Sequence, residues 1–302
     1  MPNKYSVILC TLATDGADVW KTPREVLEPI AAAGYDGVDV DAEPDKIPAD
    51  KFAEVCGLAQ ELGLEIPALI CAWGAWHAGE ERNLASSDET RRRHAVEYTL
   101  KCIDLAATFA VPPMLEIDAA AEKMEYPLAS TPRAELRRNF VKSALEICNY
   151  AQPRNVPIAI EPINRFEGIC GFLNSLVEAR SVADEVGCGL GVMADFFHLN
   201  IEDGPVTEAL RLAGDKLMHI HLADSNRQAP GTGHIDFYDV VRTLKAINYQ
   251  GYFAVDSVPV KPDWKSLLRD SITFMKQVER TVELQERIEA EMRFQTAGEN
   301  HE

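Results

Sequence analysis

The stretch Val156-Pro157-Ile158-Ala159-Ile160-Glu161 decides the architecture. A run this short and this rich in aliphatic residues is too brief for a helix, and without polar alternation it suits a strand buried on both faces. It stops at a carboxylate. The same form recurs at Tyr5 to Cys10, Tyr35 to Val40, Ile66 to Cys71, Pro113 to Ile117, Gly189 to Met193, Lys216 to Ile220 and Tyr252 to Val255. Between these eight runs lie longer stretches of helical periodicity with readable starts. Thr22-Pro23-Arg24-Glu25 joins a capping Thr to Pro at the first helical position and Glu at the third; Ser86-Ser87-Asp88-Glu89 offers a second capping box, and Thr131-Pro132 opens a third helix. Eight strands alternating with helices predict an α/β fold of the (β/α)8 TIM barrel type. A doubly wound sheet would place a Gly-rich phosphate turn after the first strand, and Cys10-Thr11-Leu12-Ala13 is not one. One barrel is expected over residues 1–280, followed by a helical tail over 281–302. Val282, Leu284, Ile288 and Met292 continue the last helix there, either as a face for a partner subunit or as an amphipathic end.

Composition narrows the function classes. Against 30 Lys and Arg stand 48 Asp and Glu, a formal charge of −18 on 302 residues, with no basic run. Such a chain repels phosphate backbones and anionic lipid, so no nucleic-acid and no membrane partner is expected. The start, MPNKYSVILC, lacks a secretory cleavage pattern, and no apolar run approaches the ~20 residues that span a bilayer, which predicts a cytoplasmic protein. The seven cysteines are scattered in apolar segments without a CxxC pair, as buried reduced thiols would be.

In a barrel of this type the carboxyl ends of the strands converge on one pocket. Strand five ends in Glu161 with Glu167 six residues on; strand six ends in Asp195 with His198 three residues on; strand seven carries His219 and His221 on one face, followed by Asp224 and Arg227; strand eight ends in Asp256. Four adjacent rims thus supply Glu161, Asp195, His221 and Asp256. Three oxygen donors and one imidazole suit Mn²⁺, Mg²⁺ or Co²⁺, and a divalent ion would relieve the repulsion among carboxylates in a low-dielectric pocket. Taken singly, an Asp after a strand more often caps the next helix or pairs with a cation, and a lone strand His such as His219 is more often a bonded core residue. The coincidence of four rims carries the inference.

The segments Glu161-Pro-Ile-Asn-Arg165-Phe-Glu167, Asp195-Phe-Phe-His198 and His221-Leu-Ala-Asp-Ser-Asn-Arg227 resemble the xylose isomerase-like barrels, and among them the ketose 3-epimerases of the D-tagatose and D-psicose (allulose) type. The resemblance implies one divalent cation, Mn²⁺ first and Co²⁺ or Mg²⁺ as alternatives, on Glu161, Asp195, His221 and Asp256. It implies substrate contacts at Glu167, His198 and Arg227. Glu161 and Asp256 would be the two bases that remove a proton beside a ketone, through a metal-stabilised cis-enediolate, and return it to the opposite face.

One departure matters. The ketose 3-epimerases carry Glu at the final rim, where this chain has Asp256, whose carboxylate is drawn back by about one bond, ~1.5 Å. A displacement of that size costs about a hundredfold in rate. A second hypothesis is therefore a lyase on 3-oxo-sugars or 3-oxo-glycosides, resembling the C-glycoside deglycosidases, in which one base suffices. Trp73, Trp76 and His77, after strand three, would supply an aromatic wall or an added acid/base group, unless they merely pack the loop. A third is a non-catalytic sugar-binding barrel, which predicts lost ligands. The expected substrate is an uncharged sugar or oxo-sugar, because Arg165 and Arg227 come without a phosphate-cradling helix start. A homo-oligomer, dimer or tetramer, is expected, with a companion subunit as a further option.

Overall fold

The computed structural model describes residues 3–71, 82–119, 131–169 and 171–299. The strands are β1 (Lys4–Val7), β2 (Val40–Asp41), β3 (Ala68–Ile70), β4 (Met114–Ile117), β5 (Ile158–Ile160), β6 (Gly191–Asp195), β7 (Leu217–Leu222) and β8 (Tyr252–Val255). The helices are α1 (Leu9–Ala13), α2 (Pro23–Ala33), α3 (Ala49–Glu61), α4 (Glu89–Ala106), α5 (Arg133–Ala151), α6 (Leu176–Val186), α7 (Phe196–Glu202), α8 (Val206–Ala213), α9 (Phe237–Ala246) and α10 (Trp264–Glu299).

All strand pairs are parallel, in the order β1-β8-β7-β6-β5-β4-β3-β2. The remaining seam is bridged where Asp39 N donates to Val7 O at 2.9 Å and Leu9 N to Asp39 O at 3.1 Å, so the sheet closes on itself. The eight-stranded TIM barrel read from the sequence is the observed fold. Alternation then sorts the side chains. One set, including Val7, Leu69, Leu115, Ile160, Val192, Leu222 and Phe253, belongs to the large core shared with the helices. The interior holds two small apolar groups, Ala68, Met114, Ala159 and Met193, and Ile8, Cys10, Ile70 and Ala254. Beside these lie buried acids and histidines.

The helix starts refine the capping expectations. Pro23 does open α2, yet Thr22 makes no side-chain cap bond. Asp88 caps α4 by accepting from Thr90 N and Arg91 N, while Ser86 Oγ accepts from Asp88 N at 3.1 Å. Glu89 is drawn instead to Arg92 and Lys142. α10 runs unbroken across residue 280: Val278 and Val282 are fully buried, whereas Leu284, Ile288 and Met292 are exposed. No described helix is long and apolar enough to cross a membrane. Cys10, Cys56, Cys71, Cys102 and Cys148 are buried free thiols and Cys188 is an exposed one.

Candidate metal centre

The register of the last strands gathers the rim residues. Asp195 lies opposite His221, and His221 opposite Ala254, which puts Asp256 one pleat beyond on the neighbouring strand. Asp195 ends β6 and begins α7. Its Oδ1 accepts from Phe197 N at 2.8 Å and His198 N at 3.4 Å, satisfying orphan donors of the helix start. Its Oδ2 is buried without a hydrogen bond, 3.5 Å from both His198 Nε2 and Arg227 Nη1. Asp195 is thus a helix cap with one oxygen and a site group with the other.

His221 Nδ1 stands 3.1 Å from Glu161 Oε1, while its Nε2 has no hydrogen-bond partner and faces Glu116 Oε2 at 3.9 Å. Asp256 is held at both oxygens: Thr11 Oγ1 donates to Oδ1 at 2.6 Å and Arg227 Nη2 to Oδ2 at 2.7 Å. Arg227 Nη1 also approaches His198 Nε2 at 3.3 Å and Glu167 Oε2 at 3.7 Å, and the guanidinium lies 4.9 Å from the Phe197 ring centroid. Its backbone is left-handed at φ 56°, a conformation that disfavours a side chain. Asp224 holds that turn: its carboxylate accepts from Ser225 N, Gly231 N and Ile235 N, and its carbonyl from Arg227 N.

Burial and crowding set the charges. Burial pushes the Asp195 carboxyl up to about 7, against the pull of Arg227. Burial opposes charge on His221 too, but the carboxylates of Glu161, Asp256 and Asp195 outweigh it and raise the ring to about 9. His198 falls to about 4 through burial and the nearby Arg227. Glu116 is driven well above the usual range by burial and by Glu161 beside it. Glu161 moves the other way, because His221 and His198 overcome its own burial. Without a cation, the cluster retains protons that ordinary carboxylates would have shed.

A cavity opens here, lined among others by Glu161, Glu167, His198, His221, Arg227 and Asp256. Three overlapping trios, Glu116-Glu161-His221, Glu161-Asp195-His198 and Asp195-His221-Asp256, bring donor atoms within 4.8 Å of one another. The orphaned Asp195 Oδ2 and the oxygen-rich donor set fit a hard divalent cation. The seven rim residues read from the last four strands meet in one place. Trp73 and His77, and Trp76 between them, lie outside the described residues.

Sequence reasoning passed over Glu116, Thr11 and Asn164, whose Nδ2 meets His198 Nδ1 at 2.8 Å. Glu116 sits inside an apolar run and Thr11 is 245 residues from the acid it holds. Asn164 was in view as a letter of the Glu161–Glu167 motif. His219, expected to be a bonded core residue, meets Asp39 Oδ2 at 2.6 Å.

The chain belongs to the xylose isomerase-like TIM barrel family, whose model matches residues 27–278. It is 28% identical over 269 residues to the 3-dehydro-D-guloside 4-epimerase of Escherichia coli, a match that covers 84% of this chain and 95% of the relative. It is 38% identical over 116 residues to the D-psicose 3-epimerase of Enterocloster bolteae, 38% of each chain. In fold it resembles the crystal structure of the 3-keto-D-glucoside 4-epimerase from Escherichia coli, with a TM-score of 0.76 at 23% identity, covering 91% of this chain and all of the other.

Proposed function

We propose that the chain is a divalent-metal-dependent sugar isomerase or epimerase that moves a proton on the carbon next to a ketone. The observation that carries this is the convergence of Glu161, Asp195, His221 and Asp256 in one cluster, at a cavity that Glu167, His198 and Arg227 also line. The first four would hold the cation, Mn²⁺ before Co²⁺ or Mg²⁺, and the last three the substrate hydroxyls and carbonyl. The bound ion supplies positive charge against an enediolate. Glu161 would take a proton from one face of the carbon, and Asp256, carrying a proton drawn from solvent, would give it to the other face. Arg227 is the one Lys or Arg lining the cavity among the described residues, and it is paired with Asp256, which suits an uncharged sugar or 3-oxo-sugar. The 3-dehydro-D-guloside and D-psicose epimerases support a sugar ketone as substrate.

One observation favours a second reading. Both Asp256 oxygens are engaged, by Thr11 and Arg227, so the second base is less free than the first. A metal-dependent lyase that expels a substituent from a 3-oxo-glycoside needs Glu161 alone. Incubation in deuterium oxide with a panel of ketoses and 3-oxo-glycosides, with Mn²⁺ and with EDTA, decides. The expected result is metal-dependent deuterium incorporation with an epimer recovered; release of an aglycone would establish the lyase instead, and no exchange on either class would leave a sugar-binding barrel. Self-association belongs to the same proposal, through the exposed Leu284, Ile288 and Met292 on successive turns of α10.

A further inference from the structure

We propose that Glu116 is the positioning residue that sets which ring nitrogen of His221 is offered to the cation. The inference rests on the metal reading above. A neutral imidazole has one lone pair and one N–H, so a ligating histidine needs a partner that fixes the proton on its other nitrogen. His221 Nδ1 points toward Glu161, itself a proposed ligand, at 3.1 Å. Its Nε2 is buried and has no hydrogen-bond partner. The acid opposite is Glu116, whose Oε2 is likewise buried and unbonded, 3.9 Å away. Two orphaned buried groups of complementary chemistry therefore face each other, and closing by about 1 Å makes an ordinary hydrogen bond.

Glu116 reaches this place because β4 alternates: Leu115 and Ile117 join the core shared with the helices, while Glu116 turns into the barrel with 2% of its surface exposed. A carboxyl buried there is costly unless it has partners. The groups placed to be those partners are Glu161 beside it and His221 across from it at 3.9 Å. From β4, Glu116 thereby braces a ligand on β5 and a ligand on β7. A role as a further anionic ligand fits the charges less well. Glu161, Asp195 and Asp256 with a dication and the Arg227 guanidinium sum to zero, and another buried carboxylate on the ion would leave the centre uncompensated. Donating to Glu161 with one oxygen and accepting from His221 Nε2–H with the other is something an amide can copy.

The test compares Glu116→Gln with Glu116→Met. Mn²⁺ affinity and stoichiometry are measured by isothermal titration calorimetry, and the His221 tautomer by ¹⁵N NMR on the Mg²⁺ form. Glu116→Gln is expected to bind one Mn²⁺ per chain within about threefold of the wild type, and Glu116→Met to bind about 10- to 100-fold more weakly. In the wild-type Mg²⁺ form the proton should reside on Nε2, a result that does not depend on either variant folding. Glu116→Gln as weak as Glu116→Met would make Glu116 an anionic ligand and overturn the proposal. Two Mn²⁺ per chain, a proton on Nδ1 in the Mg²⁺ form, or Glu116→Met binding like the wild type would overturn it too. Those outcomes leave the metal reading standing; a wild-type chain that binds no divalent ion removes both.

Discussion

Two histidines on β7, His219 and His221, share a strand face and are equally buried, yet their surroundings differ. His219 Nε2 is closed by a single acid, Asp39 Oδ2 at 2.6 Å. His221, one pleat nearer the carboxyl end, faces Glu161 on one nitrogen and Glu116 on the other, with Asp195 and Asp256 on the neighbouring strands, and keeps an unbonded nitrogen. Residue type, burial and strand face are common to both. On the metal reading proposed above, what would distinguish a ligand from a brace is how many donors converge, because one carboxylate satisfies an imidazole whereas several crowd it with charge that a cation would relieve.

The sharpest way to break that contrast is to remove each ring in turn. His221→Asn is expected to weaken Mn²⁺ binding by about a hundredfold or more and to abolish metal-dependent deuterium exchange, read by calorimetry and NMR. His219→Leu should leave Mn²⁺ affinity unchanged within a few-fold and instead cost about 3 kcal/mol in urea denaturation, since it strands Asp39 in the interior. If His219→Leu lost the metal as well, the lower pair would belong to the centre, which Asp39, His219 and His221 are close enough to allow. A smaller effect sharpens the comparison through pH. Free of metal, His221 titrates near 9 and Asp195 near 7, and both must be deprotonated to ligate. Affinity for Mn²⁺ should therefore fall about tenfold per pH unit from 9 down to 7, more steeply below 7, and level off above 9. Calorimetry in buffers of different ionisation enthalpy should find about one proton released at pH 8.

The barrel was legible because most strands lie in short, largely apolar runs, and burial on both faces writes such runs plainly into a sequence. Strand two was the least regular: Tyr35 to Val40 read as a strand, but the regular pairing is Val40–Asp41, with isolated bridges at Gly37 and Asp39. The runs at 189–193 and 216–220 extend two residues further, to Asp195 and Leu222, because backbone pairing does not stop where the side chains turn polar. The rim acids were legible from their position after those runs. Glu116 was not, since one carboxyl among Met114, Leu115 and Ile117 hardly disturbs an apolar window, and only the pleat reveals that it faces inward. Thr11 and Asn164 act through contacts that the closed barrel alone creates.

Asp195 holds a last consequence. Its carboxylate is fixed by two amides of its own chain at the start of α7, so its orientation is set when the barrel folds. An ion bound there as proposed would find this carboxylate already ordered, and its departure would not free it. If the centre takes the proposed cation, a chelator should strip it and fresh metal refill it without Asp195 having to find its place again.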